Sequence, residues 1–140
     1  MSLAFNPITG KFDLVNSSSE AEKLVEVKIA DSSMSALLIV KATGINTVDL
    51  ASNDSLYGDA VAFGVLINSV SVSGEVDVVR CGKITDAFFT YPVNTLLFLG
   101  LNGTITDIDP STTLATHVTP IGYGLGSGAI FIDIDKPIIL

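Results

Sequence analysis

The residues able to do chemistry in this chain are few and scattered. There is one histidine, His117, and one cysteine, Cys81. A nucleophilic triad needs a nucleophile, a base and an orienting group, and zinc usually takes several His or Cys ligands. One of each supplies neither set. Ser127, in "GLGSGA", has the outline of a nucleophile elbow, but that motif needs Gly two places to either side, where Leu125 and Ala129 stand. The Gly-rich run "GYGLGSG" (122–128) lacks the Lys-Ser/Thr of a phosphate loop and opens no helix. Alternating glycines in a β run serve the close approach of a neighbouring backbone. The pairs Asp107/Asp109 and Asp133/Asp135 have the spacing that puts two carboxylates on one strand face. There they could chelate Ca²⁺ or act as acid and base. No ordered ligand set flanks either pair, and Asp on a polar face or edge also discourages unwanted strand pairing. Tyr57, Tyr91 and Tyr123 could line a sugar site, but without a single Trp they suit the core or its rim equally well. The expectation is no catalytic residue, no metal ion and no cofactor: not an enzyme.

Bulk properties narrow the partners. The net charge of −8, from 15 acids and 7 bases, gives no footprint for nucleic acid and no attraction to an anionic membrane. Hydrophobic residues make up 48% and mean hydropathy is +0.57, yet the longest apolar run, "AVAFGVLI" (60–67), is far below the roughly 20 residues of a spanning helix. No apolar signal segment follows Met1, and a lone cysteine fits synthesis in a reducing cytosol. The sequons at Asn16, Asn53 and Asn102 then read as chance matches. The apolar excess is expected in buried strands.

The elements that would carry these residues read as β throughout. In "FLGLNGTITDI" (98–108) the Asn-Gly pair sits between apolar and hydroxyl residues, and a type I′ turn needs positive φ at both central positions. Asn102 and Gly103 are the expected tip, closed by Leu101 and Thr104. "LVEVKIA" (24–30) and "EVDVVR" (75–80) alternate as half-buried strands, and "ALLIVKA" (36–42) has the run of a strand buried on both faces. "CGKIT" holds a Gly that predicts a bulge or bend. "HVTPIGYGL" (117–125) and "AIFIDI" (129–134) complete the pattern, with a helical turn expected only around "VDLASND" (48–54). Turn signals recur every ten or so residues, as in a β-sandwich or barrel of antiparallel strands. Residues 1–19 read as an extended N-terminal arm and hinge, apolar but fitting neither helical nor strand period, and residues 20–140 as a single β domain. "NPITG" is turn chemistry and "SSSE" (17–20) a flexible join. The tail "DKPIIL" (135–140) ends on aliphatic residues behind a Pro that cannot donate to a ladder. Either end packs on its own domain or grips another surface.

Two segments resemble a known group. "LAFNPITGKFDLV" (3–15) looks like the F-N-P-x-T-G-K-hydrophobic-D arm of small structural proteins of tailed bacteriophages. Residues 59–140, through "DAVAFGVL", "SGEVDVVRCGKITD", "PVNTLLFLGLNGTITDIDPS" and "PIGYGLGSGAIFIDIDKPIIL", are similar to a β-module of phage fibre, tail-tip, collar and capsid-decoration proteins. Small departures are Phe63-Gly64-Val65 directly after Ala62, Cys81 before the bend glycine, Gly124 for the usual Ala, and Lys136 where a first Pro often lies. Residues 20–58 match loosely. The resemblance implies a virion component: a collar or baseplate ring protein of the tail that assembles as a homo-oligomer and helps anchor fibres, or a capsid decoration protein. Its expected partners are copies of itself and tail tube, hub, fibre or capsid proteins, with assembly in the bacterial cytoplasm. The expected interface is Leu3, Phe5, Pro7, Phe12, Leu14, Ile138, Ile139 and Leu140. A module binding host-surface carbohydrate is the other reading, and needs aromatic or acidic groups near Asn102 and "SNDS" (52–55).

Overall fold

The structure, a computed structural model, describes residues 2–6, 11–15 and 23–140. Expectations placed on Pro7, Gly10 and residues 16–22 lie outside these. Strands β1 (Ser2–Asn6) and β2 (Lys11–Val15) form an antiparallel ribbon, with Leu3 opposite Leu14 and Phe5 opposite Phe12. The arm is thus not without strand period. Leu3-x-Phe5 and Phe12-x-Leu14 each alternate, and the residues between the two runs break the count.

The body runs β3 (Lys23–Ala30), β4 (Ile39–Ala42), β5 (Thr47–Leu50), a helical turn α1 (Tyr57–Ala60), β6 (Gly64–Leu66), β7 (Glu75–Thr85), β8 (Leu96–Leu99), β9 (Ile105–Thr106), β10 (His117–Val118), β11 (Pro120–Gly126), β12 (Ala129–Asp133) and β13 (Ile138–Ile139). The chain is all-β, as the pattern predicts. Residues 48–50 of "VDLASND" belong to β5, and the one α-helical turn among the described residues lies further on, at Tyr57–Ala60. Val48 and Leu50 are claimed by antiparallel pairing with Ala42 and Val40, which outweighs local helical preference.

The main sheet has the order β3-β5-β4-β6-β7-β12-β11-β8-β9, and β3 also pairs with β7. That extra pairing closes β3, β5, β4, β6 and β7 into a ring. Every junction is antiparallel except β3–β5, which is parallel. The expectation of purely antiparallel strands fails there. The first half of β7 lies against β6, its second half against β12, and its opposite edge against β3.

Two cores lie on either side of a shared wall. Val40, Leu66 and Val78 point into the ring with Ala30, Met34, Val48 and Val76. Their chain neighbours Ile39, Val65 and Val79 point the other way, toward Leu97, Leu99, Ile121, Ile130 and Ile132. Ile39 pairs with Val65, and Val65 with Val79, so the second set forms a continuous cross-strand row. All six side chains are fully buried. Burying such a side chain contributes about 1.5–3 kcal/mol. The double burial expected for 36–42 is therefore found at Ile39–Val40, and Val76 and Val78 face inward from β7 as the alternation predicts.

On β3 the alternation has the opposite sense. Val27 and Ile29 are 58% and 39% exposed, whereas Glu26 and Lys28 are partly covered. A bulge is responsible for the covering group. Leu24 faces Cys81 but Val25 faces Val79, leaving Arg80 as an extra residue, two places before the bend expected at Gly82. Arg80 donates to Phe63 O and to Glu26 Oε2, each at 2.8 Å, and its guanidinium lies 3.9 Å from the Phe63 ring centroid. Lys28 covers the same ring. On β11, Gly122 has φ +151°, and a Cβ there would fall 1.9 Å from Phe131 O, the close approach foreseen for the glycine run.

The wall makes the two cores one cooperative unit. Ile39→Ala and Leu66→Ala, one on each side, should each cost about 2–5 kcal/mol. Both should keep a single denaturant transition that coincides by far-UV circular dichroism and tyrosine fluorescence; two separated transitions would show that the cores melt independently. The ion pairs give a second prediction. Arg80 holds the Glu26 carboxyl below its ordinary value of 4.5, and Lys41, then Ser55, holds Asp59 below 3.8. A lowered folded-state pKa contributes stability above the ordinary value that is lost as pH falls through the folded one. The melting temperature should fall between about pH 5 and pH 3, and Lys41→Met should flatten that fall while lowering stability at neutral pH. An unchanged slope in the variant would remove the Lys41–Asp59 contribution.

Candidate interaction surface

The Asn-Gly tip forms as its residue types require. Asn102 lies at φ 51°, ψ 43° and Gly103 at φ 82°, and the Thr104 amide donates to Leu101 O at 3.1 Å. Gly103 answers a second demand as well. It is buried against β4, and a Cβ there would meet Ile39 O at 2.6 Å. The hairpin between β8 and β9 is therefore folded down onto the shared wall. The Ser52 hydroxyl accepts from the Asn102 amide at 3.2 Å and ties the tip to residues 52–54.

Asn53 is the hub of this region. Its carbonyl accepts from the Thr116 and His117 amides at 2.9 and 3.2 Å, and its Nδ2 donates to Leu99 O at 2.9 Å. The residue is only 4% exposed, and Oδ1 is buried without a hydrogen-bond partner. An orphaned acceptor of this kind costs about 1–3 kcal/mol. Beside it opens a groove of about 570 Å³ between the hairpin and the loop 108–115. Leu101, Ile108 and Leu114 supply its apolar side, and all three are exposed, Leu114 by 98%. Asp109 caps the turn at Pro110–Thr112. The Ser111 amide donates to its carboxylate at 2.9 Å and holds its pKa below the usual range.

The C-terminal strand adjoins the same hub. Ile138 and Ile139 of β13 pair with Val118 and His117 of β10, and the Leu140 amide donates to Thr116 O. The backbone of the tail thus packs on its own chain, while the side chains of Ile138, Ile139 and Leu140 stay more than half exposed. With Leu56 and Tyr57 around the Thr116–His117 bonds, these residues extend the apolar surface beyond the groove. Of the other expected interface residues, Leu3, Phe5, Phe12 and Leu14 sit in register on the β1–β2 ribbon, and Pro7 is outside the described residues.

The residues with chemical potential are not brought together. His117 is buried, its Nδ1 2.8 Å from the Thr116 hydroxyl and its ring edge-on to Tyr57. Ser127 occupies the exposed β11–β12 turn at φ 53°. Tyr91 donates to Ile105 O, and Tyr123 stacks on Phe131. Asp133 and Asp135 line a separate recess together with Arg80, Cys81 and Lys136. Among the described residues, no group of three or more His, Cys, Asp and Glu lies close enough to hold a metal ion. The groove was not foreseen because its walls come from three separated segments. The available signal was the excess of aliphatic residues in loops, Leu101, Ile108 and Leu114.

No protein-family model matches the chain, and no curated protein does. Among solved structures, it is similar to the N base of head fiber gp8.5 of bacteriophage phi29, at 14% identity and a TM-score of 0.45, over 84% of this chain and 98% of that one.

Proposed function

We propose that this chain is a non-enzymatic building block of a tailed-bacteriophage virion, a ring-forming collar or baseplate protein of the tail that self-associates and offers a seat for fibres. The observation that carries the reading is the exposed aliphatic surface around Asn53 and β13, on an otherwise acidic domain. Contiguous apolar surface rimmed by polar residues marks a protein contact. The phage-type arm and C-terminal module support it at the level of sequence. Capsid decoration uses the same surface properties and is the second reading. The carbohydrate reading needs aromatic or acidic groups near Asn102 and residues 52–55; Asp54 lines the groove there, but no aromatic side chain does.

Among the residues whose burial is described, both cores are built from residues at or after Val25, and on this reading the body folds without the ribbon. Deleting residues 2–15 should leave the circular dichroism spectrum and melting temperature close to those of the full chain. The oligomer seen by size-exclusion chromatography with light scattering should be lost. A truncated chain that keeps the full-length oligomer would overturn assembly through the ribbon. Immunogold labelling of intact virions should mark the tail tip; label on the capsid would favour decoration.

A further inference from the structure

We infer that the groove between the β8–β9 hairpin and the loop 108–115 receives the N-terminal ribbon of a second copy of this chain, an inference that rests on the self-assembly reading above. Four observations converge on that occupant. The ribbon pairs with no other strand among the described residues, and a two-stranded hairpin alone is at best marginally stable in water.

The chemistry matches as well. The register aligns Leu3 and Phe5 with Leu14 and Phe12, giving a row of apolar residues for a groove whose apolar side is Leu101, Ile108 and Leu114. Asn53, on the groove wall, has a buried acceptor in need of a donor, and an incoming extended backbone carries N–H groups. Charge selects the ribbon among the segments of the chain. Residues 23–140 hold six bases and twelve acids, so two bodies repel, whereas residues 1–15 hold only Lys11 and Asp13. The ribbon is the neutral part that can approach beside Asp54 and Asp109 without that penalty. Donor and acceptor surfaces differ, so the contact is heterologous and closes into a ring when the rotation permits.

Complementation between full-length variants tests this. Phe5→Asp/Phe12→Asp removes the donor, and Ile108→Asp/Leu114→Asp removes the acceptor at exposed positions. Each variant alone should lose the wild-type oligomer in size-exclusion chromatography with light scattering while keeping its melting temperature. Mixed, they should form a one-to-one heterodimer, because the donor variant keeps a groove and the acceptor variant keeps a ribbon. Phe5→Ser/Phe12→Ser replaces the donor variant if the aspartates prevent folding. An acceptor variant that stays oligomeric, or a mixture without heterodimer, overturns the groove assignment and leaves self-assembly standing. A monomeric wild type overturns both. Binding of wild type on a glycan array, lost in the acceptor variant with the oligomer intact, would assign the groove to sugar instead.

Discussion

The structure depends on a wall of three strand segments buried on both faces. Ile39–Val40, Val65–Leu66 and Val78–Val79 each send one side chain into the closed ring and the next into the core beneath β12, β11 and β8. A strand with two covered faces has no solvent side on which to place a polar residue, which is why these dipeptides are aliphatic on both parities. The wall also dictates Gly64. A Cβ at that position would meet Val79 O at 2.6 Å and the Val78 side chain at 2.5 Å, so β6 can lie against β7 only without a side chain there.

What can bind follows from how that wall is closed off. The Asn-Gly hairpin packs down on it through Gly103, and Asn53 bonds the hairpin to β10 and so to the C-terminal strand. Much of the polar hydrogen-bonding capacity of this region holds loops together, and the aliphatic side chains of Leu101, Ile108 and Leu114 are left facing outward. A surface of this composition offers apolar area and shape.

Much of this was legible locally. The Asn-Gly turn, the alternation of Val76 and Val78, and that of Ile130 and Ile132 depend on residues adjacent in the chain, and all appear as expected. Closure of the ring was not legible, because the parallel β3–β5 contact joins residues whose neighbours give no sign of each other. On β3, alternation showed that two faces differ but not which one is inward. The Arg80 bulge and the Phe63 ring cover the charged face and leave Val27 and Ile29 outside. The groove escaped because it is assembled from loops, where spacing carries no period.

The two ends of the body are fastened with very different strength. β3 is clamped along β7 through seven register pairs, while β13 is held to β10 by two. Tension applied along the chain is therefore borne unequally. The tail peels first, exposing a fresh strand edge at His117–Val118, while the leading end holds until the ring itself shears. A particle hung from the leading end would be mechanically robust, and one hung from the tail would carry a built-in fuse.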